Sequence, residues 1–240
     1  MIILNMKKTF LFLALASIAI TSCRKDDNEI VPEVSIETQN SYDDQAAQKF
    51  LETHYLDAKG NIKDLEKTDT VNVKLSKLNP VTLPSGVIYI VRPGAQPTPG
   101  KDIGATDILT MMSNTVTYVA TNTDDVVSFN SAYPFKNTIG GTGTPEVDPA
   151  YYYVKESTLA NAPAGEPKQR SYYEIEGFQE ALKKFKAFEI PDDSNYNLQG
   201  VIIVPSRAAF ARDNHFNYLG ISFRNRSFVF NFQIYKTTPR

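Results

Sequence analysis

Glu174-Ile175-Glu176-Gly177-Phe178-Gln179-Glu180-Ala181-Leu182-Lys183-Lys184-Phe185 places apolar side chains at 178, 181, 182 and 185. That is the i, i+3, i+4, i+7 spacing of one helix face, with Gln179, Glu180, Lys183 and Lys184 turned outward. Glu180 and Lys184 add a favourably oriented i,i+4 ion pair. The spacing predicts an amphipathic helix of about two to three turns, which needs an apolar surface to lie on.

The flanking residues supply that surface as strands. Ser171 to Ile175 reads as a short strand leading into the helix. Val201 to Val204 is a continuous apolar run ended by Pro205, the pattern of a buried strand. Phe228, Phe230, Phe232 and Ile234 alternate with Val229, Asn231 and Gln233, which makes a strand with one aromatic face. Upstream, Val87 to Val91 forms a strand stopped by Pro93-Gly94. Thr115 to Ala120 and Val126 to Phe129 form two more, with a turn at Asn122 to Asp125. Val71, Val73 and Leu75 alternate and suggest an edge strand over 70–79. Many strands beside one short helix give an α+β fold, the helix packed on a curved antiparallel sheet.

Two regions break this rhythm. Residues 134–170 have almost no periodicity and hold Gly140-Gly141-Thr142-Gly143 and the run Tyr151-Tyr152-Tyr153. A long irregular insert in a small domain is usually functional or mobile, and this one is expected to cross outside the sheet. Ser41 to Leu56 reads as an N-terminal helix. Ser41 suits the cap and Asp43-Asp44 the first turn, while Ala47, Phe50, Leu51 and His54 share one face.

At the front of the chain, Lys7 and Lys8 precede the apolar run Phe10 to Ile20 and the small residues Thr21-Ser22 before Cys23. A positive start, a short apolar core and a small-residue exit describe a secretory signal peptide, too short for the roughly 20 residues that span a bilayer. Met6 is an alternative start. The cysteine directly after the exit resembles a bacterial lipobox, in which the thiol is acylated. The alternative is an ordinary signal peptide with a chance cysteine nearby. Lys25-Asp26-Asp27 resembles a surface-export signal of outer-membrane lipoproteins, or is simply a solvated tether. The organisation expected is a signal peptide at 1–22, a lipidated flexible tether at 23–40, a helix and edge strand at 41–80, and the β-rich domain at 81–240 with its insert at 134–170. The protein would sit in the cell envelope of a Gram-negative bacterium, anchored by Cys23 to the outer membrane.

Composition narrows the chemistry. Hydrophobic residues make up 42% and charged residues 22%, with a net charge of −2, which describes a globular protein. No basic stripe is present, which argues against nucleic acid as a partner. The two histidines, His54 and His215, lie far apart without cysteines or clustered carboxylates, so no metal site is expected. His54 falls on the apolar helix face and reads as structural. The sequence lacks a G-x-S-x-G elbow and the lysine-serine ending of a phosphate loop. Asp43-Asp44, Asp124-Asp125 and Asp192-Asp193 sit in expected caps or turns. No cofactor is expected, and any reaction would need little acid–base or metal help.

The last seventy residues resemble the FK506-binding-protein (FKBP) type peptidyl-prolyl cis-trans isomerases. The likeness rests on the order of Glu174-Ile175-Glu176-Gly177-Phe178, the helix, a strand, Pro205-Ser206-Arg207-Ala208-Ala209-Phe210, and Phe228-Val229-Phe230-Asn231-Phe232. Ser85 to Tyr89, Val116-Thr117-Tyr118 and Phe129-Asn130-Ser131 resemble earlier strands of that family, so the likeness spans 85–236. It implies prolyl isomerisation of proline-containing peptides or unfolded envelope proteins, the membrane being reached through the lipid anchor. The reaction lowers a rotational barrier of about 18–20 kcal/mol without a covalent step. Carried over by position, Tyr118, Phe129, Phe178, Phe210 and Phe230 would line the proline pocket, and the Ile175 N–H would hold the substrate carbonyl. Asn130 stands where the family has an aspartate, Phe178 where it has a tryptophan, Phe210 where it has a tyrosine and Ala211 where it has a glycine. These departures imply slower turnover and leave two further readings: an FKBP-like binding module that has lost activity and holds a peptide, polymer or partner protein, or a structural envelope lipoprotein. The tyrosines at 151–153 would suit a binding surface.

Overall fold

The apolar alternation of the C-terminal half pairs up into an antiparallel sheet. The computed structural model describes residues 33–240; Cys23, the signal peptide and most of the tether lie outside the described residues. Helix α1 (Ile36–Thr53) is followed by strands β1 (His54–Leu56), β2 (Ile62–Asp64), β3 (Val81–Thr82), β4 (Ile88–Val91), β5 (Lys101–Asp102), β6 (Ile108–Thr123), β7 (Val126–Asn137) and β8 (Glu146–Val147). Then come α2 (Glu156–Ala160), α3 (Glu176–Leu182), β9 (Lys186–Ala187), β10 (Gly200–Val204) and β11 (Arg226–Thr238).

The main sheet runs in the order β3-β4-β10-β11-β6-β7, with β8 also paired to β6. Every pairing is antiparallel. Its long hairpin turns at Asp124 and Asp125, which have φ of 50° and 61°. Two successive left-handed residues match the twist of the strands they join, and aspartate tolerates that region. Pro134 lies within β7, which is an edge strand and so has room for a residue without an N–H.

Each face of this sheet is covered by a helix. Phe178, Ala181 and Leu182 of α3 pack with Phe228, Phe230, Phe232, Ile202 and Val204 on one face. Ala47, Phe50 and Leu51 of α1 pack with Ile88, Ile90, Val201, Ile203 and Val229 on the other. Two glycines permit close approach. A Cβ on Gly177 would lie 2.7 Å from both Val204 Cγ1 and Val87 Cγ2. One on Gly200 would meet the Ile90 carbonyl oxygen and the Phe185 ring.

Several expectations need correction. The N-terminal helix starts at Ile36, capped by the Ser35 side chain on the Thr38 N–H, so 36–40 belong to the helix and not to the tether. Asp43 is mid-helix and fully buried. Its carboxylate accepts from the Ser206 N–H at 2.8 Å, the Ser206 hydroxyl at 2.5 Å and the Gln39 amide at 3.0 Å. Burial pushes this carboxyl above its usual range against those hydrogen bonds. Residues 70–79 form no edge strand: they hold a single bridge from Lys74 to Tyr55 and a 3₁₀ turn, Leu75–Lys77, with Val71 and Val73 exposed. The segment before α3 is likewise a 3₁₀ turn, Arg170–Tyr172, and not a strand. The stretch 134–170 does not cross outside the sheet. β7 continues to Asn137, β8 joins β6, and Tyr151 and Tyr152 are buried against α3.

Candidate functional site

The residues singled out for a ring pocket divide between the two faces of the sheet. In antiparallel pairs, residues directly opposite share a face. Thr117 is opposite Phe228 and Thr115 opposite Phe230, so it is the threonines of β6 that look toward α3. Tyr118 faces the other way. It stacks on Phe129 at 5.3 Å, and Phe50 of α1 meets each edge-on at 6.0 Å. Asn130 is exposed and bonds locally, its amide donating to the Thr121 hydroxyl at 2.8 Å.

Ile175, Phe178, Phe210 and Phe230 do come together, all within the α3-side core. Phe178 and Phe230 stack at 4.1 Å with 19° between their planes. Phe210 packs through Phe228, 6.1 Å away, which stacks on Phe230 at 6.0 Å.

The chain fills this aromatic cage itself. The Tyr151 ring lies 5.9 Å from Phe178, 6.1 Å from Phe230 and 5.1 Å from Phe135. Its hydroxyl donates to Glu146 at 2.7 Å, and Lys136 holds the other oxygen of that carboxylate at 2.8 Å. Its carbonyl accepts the Ile175 N–H at 2.8 Å. Burial first, then the Glu146 charge, holds the Tyr151 phenol well above its usual pKa. The neighbouring Tyr152 is fixed as firmly. Its hydroxyl donates to the Gly104 carbonyl at 2.5 Å, and its own carbonyl accepts from Gln179. Tyr218 completes the cage, 6.3 Å from Tyr151 and 5.5 Å from Phe135. For Tyr151 the signal in the sequence was an aromatic run inside an aperiodic segment, and Phe135 and Tyr218 had none.

Open space lies beside the cage. A cleft of about 540 Å³ runs between residues 165–172 and 212–224, lined by Glu166, Tyr172, Arg212, His215 and Arg224 among others. It adjoins a second of about 400 Å³ that shares Pro167, Asp213 and Asn214 and reaches Phe210. Tyr172, hydrogen-bonded to Glu166, is pushed up to about 12. Arg207 at the far end is paired with Asp44 of α1 at 2.7 Å and also donates to the Asn40 carbonyl, so α1 steadies the turn that leads into Phe210. The arrangement offers a polar, half-open groove above a closed apolar core, which suits holding a chain segment better than enclosing a ring. Among the described residues, no group of three or more His, Cys, Asp or Glu is placed to hold a metal ion.

No protein-family model and no curated protein matches this chain. Among solved structures it is similar to FkpA from Escherichia coli, with 15% identity, a TM-score of 0.41, and coverage of 98% of this chain and 73% of that one. It is also similar to a peptidyl-prolyl cis-trans isomerase from Pseudomonas syringae pv. tomato, with 11% identity, a TM-score of 0.42, and coverage of 87% of this chain and 99% of that one.

Proposed function

We propose that this chain is an FKBP-like polypeptide-binding protein of the cell envelope, tethered to the outer membrane through Cys23, with little prolyl-isomerase turnover. The order of motifs from Ser85 to Phe232 supports the family reading, as does the grouping of Ile175, Phe178, Phe210 and Phe230 beside helix α3. Unfolded or proline-containing polypeptides are its partners, with no cofactor. The observation that carries the low turnover is Tyr151. Its ring stands where a proline ring would have to enter, and its carbonyl takes the Ile175 N–H that would hold the substrate.

Lifting Tyr151 out would forgo burial worth about 1.5–3 kcal/mol and two hydrogen bonds worth about 0.5–1.5 kcal/mol each. Every 1.36 kcal/mol is tenfold in rate, so a peptide that must first displace Tyr151 should turn over at least about a hundredfold slower than on an open site. A prolyl-isomerase assay on the full chain in detergent should give a rate at least that far below an intact FKBP domain. A rate equal to that domain's would refute the binding-module reading and leave an isomerase.

The anchor has its own test. Cys23→Ser should move the protein from the membrane fraction to the soluble fraction of its host and abolish incorporation of labelled fatty acid. Wild-type protein that takes up no label would remove the anchor from the proposal.

A further inference from the structure

His215 stands in the segment that leaves Phe210 and returns to β11, on the wall of the larger cleft. Its half-buried ring lies 5.0 Å from Phe210 and 5.0 Å from Phe223, which stack on each other at 6.0 Å. Nε2 is 2.8 Å from the Phe223 N–H, and Nδ1 is 3.0 Å from the Phe216 carbonyl. A backbone N–H can only donate and a carbonyl can only accept. Together the two contacts fix one form of the ring: a neutral imidazole with its proton on Nδ1 and its lone pair on Nε2.

We propose that His215 is an acid-operated latch on residues 211–225. A proton added to the Nε2 lone pair turns that nitrogen into a donor facing another donor. The bond to Phe223 is then lost, its N–H turns to water, and the histidine leaves its place against Phe210 and Phe223. Two other bonds of the segment do not share this fate. At its base the Asn225 N–H donates to the Ala211 carbonyl at 2.7 Å, and beside His215 the Phe216 N–H donates to the Tyr172 carbonyl at 2.7 Å, bonds without a titrating partner. Release is thus confined to the cleft wall between them.

Arg212, Asp213 and Arg224 line the cleft on the same side as His215, and Glu166 lies on the side formed by 165–172. Tyr172 stays neutral throughout the acidic range, its phenol being raised by Glu166. What a proton removes is the one bond that needs the lone pair, the bond from the Phe223 N–H to Nε2. The latch stands whatever the cleft binds.

Nuclear magnetic resonance on the full chain in detergent tests this, following the His215 ring and hydrogen exchange at Phe223 between about pH 8 and 5, where imidazoles titrate. As the ring takes up its proton, protection of the Phe223 amide should fall by at least about tenfold, while the amides of Val201 and Phe230 keep theirs. His215→Gln, whose side-chain oxygen reaches the same N–H without titrating, should hold Phe223 protected at both ends of the range. A ring that titrates with Phe223 unchanged overturns the latch, as does a ring that never titrates there. Equal loss of protection in His215→Gln does so too, and the wild-type titration decides the matter if that variant fails to fold.

Discussion

Phe178→Ala should lower the stability of the protein by about 3–5 kcal/mol, the range for emptying an aromatic site in a packed core. Phe178 is fully buried, stacks on Phe230 at 4.1 Å and meets Tyr151, Tyr152 and Phe232 at 5.9–6.3 Å. Those partners come from two separate parts of the chain, β11 and the segment at 151–152, so no single segment can collapse into the void. Asn130→Ala is the contrasting change. Although both residues were assigned to one pocket by position, Asn130 is exposed, and its loss should stay within about 0.5 kcal/mol. Denaturant unfolding of the two variants measures the difference. Equal losses would mean that the two residues share an environment, contrary to the division between sheet faces.

Gly200→Ala should be nearly as damaging for the opposite reason. The new methyl would press on the Ile90 carbonyl oxygen and on the Phe185 ring. Neither can retreat easily. Ile90 lies in β4 paired to β10, and Phe185, 1% exposed, packs edge-on to Phe232 at 4.9 Å. Overpacking of this kind costs about 1–3 kcal/mol and sometimes more, and here the upper end is expected. Thermal unfolding checks it, with Gly94→Ala as the control for a glycine that has no atoms within 4 Å of a new methyl. Gly94 has φ of 71°, so its own variant is strained without being crowded. A smaller loss at Gly200 than at Gly94 would show that β4 and β10 lie further apart than described.

Where one period met one environment, the sequence was legible. The face of α3 through Phe178, Ala181 and Leu182, the continuous apolar run of β10 and the alternating phenylalanines of β11 appear at the expected residues, whereas Phe185, expected on the same helix face, lies past the helix end at Leu182. The extent of β6 was not legible. Its α3-side face carries Ser113, Thr115 and Thr117, all buried, where an apolar period would normally mark a core. Side-chain period alone gives two faces without saying which helix covers each, and a shift of one residue exchanges them. Tyr118 and Phe129 were assigned to the ring pocket on motif position, and they lie instead under α1. Ser171 to Ile175 reads as a strand, but Arg170–Tyr172 turns as a 3₁₀ helix while Tyr172 and Tyr173 pack against Phe216, a case of tertiary packing deciding the backbone. Tyr151 carried no positional signal at all. A buried residue in an irregular segment is placed by long-range packing alone, and neither helix nor strand spacing marks it.

We propose that Tyr151 holds the place that a ligand would take at Ile175. The Ile175 amide reports on it directly, since its N–H donates to the Tyr151 carbonyl at 2.8 Å within a fully buried residue. In a ¹⁵N-labelled sample titrated with a proline-containing peptide, that amide should remain protected from exchange and keep its chemical shift, even as amides along the Phe210 cleft respond. An Ile175 amide that exchanges freely without peptide, or shifts when peptide is added, would show that Tyr151 does not close the site.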